Sequence, residues 1–162
     1  TIGHAVQAAV ATMLAFDVPG LKTQVSVFPW YGGNRDEGVA VIKRWDESPK
    51  QLAGRVASLS TDGGTPMAEA ILFAASDVVR REETLKIVMV VTDGDPNDRE
   101  ATKYIIDRAR ADGITVVGLG IGVDTSPVFD SRYAATITDI GELSASMVKL
   151  VKAAFEDNRR VH

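Results

Sequence analysis

Apolar and polar positions follow two periods along this chain, and the switches between them outline a run of helices and strands. Ile2, Ala5, Val6, Ala9, Val10, Met13 and Leu14 recur at helical spacing, which predicts an amphipathic helix over residues 1–16, stopped before Pro19 and Gly20. From Lys22 to Phe28 the pattern becomes an alternation, with Val25 and Val27 on one side and Gln24 and Ser26 on the other. Turn chemistry in YGGNRDEG leads to a second short strand, Val39 to Ile42, so the two read as a hairpin. A short helix is expected near residues 49–59.

The second half alternates more clearly. In STDGGTPM, Thr65 reads as an N-cap and Pro66 as the first residue of a helix to about Arg81, whose inward stripe is Met67, Ile71, Ala74, Ala75 and Val78. Ile87 to Val91 is an unbroken apolar run, the pattern of a central parallel strand covered on both faces. Asn97 with Glu100 suggests a capping box for a helix to Asp112, ended by Gly113. Ile114 to Gly120 is another apolar strand, residues 122–133 read as a loop, and Ala134 to Ile137 is a last short strand. Glu142 to Phe155 closes the chain as a helix with Leu143, Met147, Leu150, Val151 and Phe155 inward. Such alternation predicts an α/β fold: a mostly parallel, Rossmann-like sheet with helices on both faces.

Composition narrows the function more than the fold. The 162 residues are 45% hydrophobic and 25% charged, an ordinary globular balance for one domain. A net charge of -4 offers no basic stripe to displace counterions from phosphates, so nucleic acid is not expected as a partner. Nor does any apolar run approach the length that spans a bilayer. Without cysteine the chain has no disulfide, thiolate metal site or cysteine nucleophile.

Chemistry concentrates where the apolar run of residues 87–91 stops at Asp93, Asp95 and Asp98. Ligands of open α/β sheets bind outside the carboxyl ends of strands, which is where these acids fall. Thr65 and Asp93, one before a helix and one just past a strand, could converge on one cation, since hydroxyl and carboxylate are hard oxygen ligands of the kind Mg²⁺ accepts. An EF-hand reading fails, because its sixth position is Asp98 rather than glycine and its twelfth is Tyr104 rather than glutamate. Asp93 and Asp95 also resemble the DxD loop of haloacid dehalogenase-like phosphatases, with one aspartate as nucleophile. That leaves a phosphatase-like hydrolase as the enzyme alternative. Trp30, Tyr31 and Trp45 gather around the hairpin and leave a third, a metal-free structural scaffold.

Four stretches, DGGTPMAEAI, VMVVTDGDPND, ITVVGLGIG and ATITDIGELSASMVKLV, resemble in order the von Willebrand factor type A domain, also called integrin I-like. The resemblance implies a sheet of six strands with one antiparallel edge. It also implies a metal-ion-dependent adhesion site (MIDAS) binding Mg²⁺, through which an acidic residue of a protein partner is held. That site combines a DxSxS motif, a threonine in a GGT loop and an aspartate in a TDG loop. By motif, the latter two are Thr65 and Asp93. DxSxS occurs nowhere in the sequence, and the first strand that would carry it is not found, so the chain is expected to be one domain over residues 1–162, incomplete at its N-terminus. The gap left in the sheet would invite self-association. Wording such as GGTPM and TDGDPND looks most like bacterial members, including those that work with AAA-type ATPases in chelatase or assembly systems. The resemblance thus implies a cytoplasmic protein–protein interaction module and not an enzyme.

Overall fold

A computed structural model of the chain describes residues 12, 14, 16, 20–27, 40–49 and 65–161. The chain divides into two compact units, Thr1–Gly64 and Thr65–His162. In the first, strands β1 (Val25–Val27) and β2 (Ala40–Lys43) pair antiparallel, as the alternation predicts, with a register shift between Val25 and Ser26. Lys43 at the end of β2 is buried, and its ammonium donates to the carbonyls of Thr23 (2.7 Å) and Arg44 (3.1 Å). A buried cation needs such acceptors, because its lost hydration is otherwise uncompensated. Of the predicted first helix, Thr12 and Leu14 are helical, but Leu14 is 65% exposed rather than inward. Trp30 and Tyr31 lie outside the described residues, as does the helix expected near residues 49–59 apart from Pro49.

The second unit begins with α1 (Met67–Val78), followed by β3 (Lys86–Thr92), α2 (Arg99–Ala111) and β4 (Ile114–Ile121). A four-residue helix, α3 (Ser126–Phe129), β5 (Ala134–Ile137) and the long α4 (Leu143–Val161) complete it. Strands β3, β4 and β5 form a parallel sheet in that order. In β4 the successive residues Val116 and Val117 are both fully buried. Neighbours in a strand point to opposite faces, so both faces of the sheet are covered. Helix α1 packs on β3 and beside α2, while α4 packs on β4 and β5. The fold is the α/β type that the chain's periodicity predicts.

The strand covered on both faces is β4, and not the Ile87–Val91 run. Within β3 only Val88 is buried, the rest being half-buried, because β3 stands at one edge of the described sheet and pairs with β4 alone. Helix α1 stops at Val78, short of Arg81, and buries Met67, Ile71, Ala75 and Val78 while Ala74 is only half-covered. Along α4 the buried stripe runs Leu143, Met147, Leu150 and Ala154. That 4-3-4 spacing follows the helical turn, and Phe155, one residue further round, is 45% exposed rather than inward. Residues 126–129, read from sequence as loop, form a helix too short to show periodicity, and it delivers the fully buried Phe129.

Polar contacts tie these elements together. The Arg110 guanidinium donates to the carbonyls of Phe129 (2.8 Å) and Val116 (3.2 Å) and lies 4.8 Å from the Tyr133 ring centroid. Tyr133 and Arg132 both donate to Asp157 on α4, fastening that helix to the turn before β5. Its hydrogen bond to Asp157 pushes the Tyr133 hydroxyl above its ordinary pKa, with partial burial adding to the effect. At the start of α2 the cap is Asp98, whose carboxylate accepts the Ala101 N–H at 2.9 Å. Asn97 is therefore not the cap. Asp98→Ala is expected to cost about 1 kcal/mol, measured as the shift in urea midpoint.

Candidate functional site

The loops at the carboxyl end of β3 and the start of α1 meet. Thr65 lies two residues before α1, whose N-cap position is taken by Pro66, a residue with no side chain to cap with. The Thr65 hydroxyl is thus not committed to capping, contrary to the expectation from sequence. The Thr65 carbonyl accepts the N–H of Met67 at 2.8 Å and that of Asn97 at 2.9 Å, while its own N–H donates to the Asn97 side-chain oxygen at 2.8 Å. These bonds bring Thr65 onto the loop that carries Asp93. Its hydroxyl faces Gly94 so closely that a Cβ there would stand 2.8 Å from Thr65 Oγ1. Only glycine leaves that approach open.

The Gly94 turn is shaped by Thr92, the last residue of β3. Its hydroxyl accepts the Gly94 N–H (3.1 Å) and donates to the Gly94 carbonyl (2.9 Å), folding the chain back so that Asp93 stands exposed at the strand's end. The three acids of the loop then separate. Asp95 pairs with Arg99 one helical turn on, at 3.2 Å, and Asp98 caps α2. Asp93 and Asp95 flank Gly94, which the Thr65 hydroxyl approaches, and of these two Asp95 is the one paired with Arg99. Across a shallow cleft lined by Met67, Asp95, Pro96 and Phe129, Asp124 accepts the Ser126 N–H at 2.9 Å. That bond, with a second from the Ser126 hydroxyl, holds Asp124 below the usual carboxylate pKa.

Thr65 and Asp93 fit a hard divalent cation in kind, being a neutral and a charged oxygen donor. They are two donors where six are needed. No group of three or more His, Asp or Glu side chains placed to hold a metal occurs among the described residues. The second aspartate of the DxD pattern, Asp95, lines the cleft and is paired with Arg99 at 3.2 Å. Asn97 is the residue of this site that sequence reasoning misplaced. Its polar side chain ahead of a helix signals a cap, and only the adjoining Asp98, which could cap equally well, hinted that Asn97 was available for another role.

Residues 5–151 match the von Willebrand factor type A domain. The chain belongs to this family. Solved structures agree on the fold of this von Willebrand A chain. Proximal thread matrix protein 1 from the mussel byssus superposes with a TM-score of 0.69 at 16% identity, over 93% of this chain and 42% of that one. The same protein with a zinc-occupied MIDAS motif gives 0.66 at 20% identity, over 94% of this chain and 40% of that one. Manganese-loaded TRAP protein of Plasmodium vivax gives 0.63 at 16% identity, over 91% of this chain and 65% of that one. This von Willebrand A chain thus spans between two fifths and two thirds of the lengths of those proteins. No helix among the described residues is long and apolar enough to cross a membrane.

Proposed function

We propose that this chain is a protein-association module whose site holds Mg²⁺ at the carboxyl end of β3, with Thr65 and Asp93 as two of the ligands. The observation that carries the reading is the approach of the Thr65 hydroxyl, uncommitted to α1, to the Gly94 turn beside Asp93. A bound ion supplies an open coordination position that a carboxylate of the protein partner can fill. Thr65 contributes a neutral oxygen and Asp93 one negative charge, so these two ligands by themselves leave part of the ion's charge uncompensated. The mussel protein with a zinc-occupied MIDAS motif, and the manganese-loaded TRAP protein, support a divalent ion in this fold. Binding rather than hydrolysis is favoured because Asp95 is engaged by Arg99. In our reading the partner belongs to an AAA-type ATPase system of the bacterial cytoplasm, as the GGTPM and TDGDPND wording suggests.

The remaining ligands belong, in this proposal, to a strand beside β3. All five residues from Ile87 to Val91 are apolar, yet four of them are only half-buried, and the strand's second edge has no partner among the described strands. A strand of that composition is written for the middle of a sheet. We take residues 1–162 and this further strand as one domain. A second copy pairing at the same edge is the competing occupant.

Calorimetric Mg²⁺ titration of residues 1–162 beside a version carrying about 30 more residues ahead of Thr1, room for a strand and its loop, tests the proposal. Saturable binding by the longer chain, weak or none by the shorter, is the expected result. Absence of binding by both would remove the metal site and leave a metal-free scaffold.

A further inference from the structure

Asn97 and Thr65 are 32 residues apart in sequence, yet they exchange two hydrogen bonds of 2.8 and 2.9 Å. One uses the Asn97 side chain and the other its backbone, so the pair is a two-point clamp between the loop after β3 and the entrance to α1. Because the Thr65 carbonyl also accepts from Met67, both polar groups of the Thr65 backbone are fixed. A threonine is stiff at χ1, so a fixed backbone leaves its hydroxyl few positions, and here it lies against Gly94. Asn97 is exposed, and its neighbour Asp98 performs the local task of capping α2. Burial and helix capping therefore do not account for the Asn97 side chain.

We infer that Asn97 is a positioning residue, which sets the Thr65 hydroxyl against the Asp93–Gly94 turn and joins the two halves of the metal site. The inference rests on the metal-dependent reading above. It makes the side-chain oxygen the essential atom, since this is what receives the Thr65 N–H. Asn97→Asp keeps that acceptor. Asn97→Leu has similar bulk and removes it.

The test compares these two variants and Asp98→Ala in the longer, ion-binding form of the chain. Mn²⁺ affinity is measured by titration, and the exchange rate of the Thr65 amide hydrogen by NMR. Asn97→Leu is expected to speed Thr65 exchange and to weaken Mn²⁺ binding by about 10- to 100-fold, the usual effect of losing a group that orients a ligand. Asn97→Asp should restore both toward the parent. Asp98→Ala should lower stability while leaving Mn²⁺ affinity within about twofold, because its cap does not reach Thr65. Faster Thr65 exchange in Asn97→Leu with undiminished Mn²⁺ affinity would overturn the positioning role. Equal loss of affinity in Asp98→Ala would reduce Asn97 to general stability and overturn it as well. Failure of the parent to bind Mn²⁺ would instead overturn the metal site itself, an outcome distinguishable from either.

Discussion

Asp93→Ala should abolish divalent-ion binding in the ion-competent form of the chain, and with it capture of an acidic protein partner. The expected loss is at least about 100-fold in affinity, larger than for Asn97, because the proposal makes Asp93 a direct anionic ligand. Asp93 stands exposed beyond β3, and the turn around it is held by Thr92 and Gly94 backbone groups. Truncating its side chain leaves those turn bonds in place. Asp93→Asn separates charge from shape: it keeps an oxygen donor but should still weaken the ion strongly. Partner capture that survives both substitutions, or that survives excess chelator, would dispose of a metal-bridged contact. Turnover of a phosphate ester lost in Asp93→Asn would return the hydrolase reading.

Gly120→Ala should be the most damaging single substitution to folding. Gly120 lies in β4 between Thr92 of β3 and Thr136 of β5 in the register, and a Cβ at this position would stand 1.9 Å from the Val123 carbonyl oxygen. That atom is backbone, so relief requires the residue 122–125 turn to move rather than a side chain to rotate. The cost is expected at or above about 3 kcal/mol, the upper end for overpacking, measured by urea unfolding. Gly122→Ala is the informative control. There φ is +70° and no atom lies within 4 Å, so only backbone strain of about 1–2 kcal/mol applies. Comparable losses at the two positions would mean that the turn yields easily and that close approach at Gly120 is unimportant.

Much of the fold was legible because most of its elements carry an unambiguous period. The strand positions of β3, β4 and β5 and the helices α1, α2 and α4 all lie where apolar spacing puts them, and Gly113 ends its helix with a φ of +85°, as a C-terminal glycine should. Periodicity reports which side of an element is apolar but not what lies beside it. The run Ile87–Val91 therefore reads as central although β3 is at the edge of the described sheet. Phe155 was placed inward by its apolar character, when Ala154 continues the buried stripe and needs no bulk to do so. Short irregular elements carry no period at all, which hid the helix that buries Phe129.

The candidate site was legible in its atoms and not in its wiring. A hydroxyl before a helix and a carboxylate after a strand mark Thr65 and Asp93 as candidates, and the structure brings their loops together. The Asn97 clamp reaches across 32 residues through one side-chain oxygen, and no local pattern encodes such a partner. Thr65 likewise invited an N-cap reading that only the Pro66 position corrects.

The order of the parallel sheet has a kinetic corollary. Strands β3, β4 and β5 are neighbours in space in the same succession as in the chain, each pair joined through a single helical crossover or short helical loop. Within the β3–β5 sheet no strand must wait for a distant one before it can pair. Loop closure within this sheet is thus modest at each step, and its three strands can assemble progressively as the chain leaves the ribosome, one adding to the last.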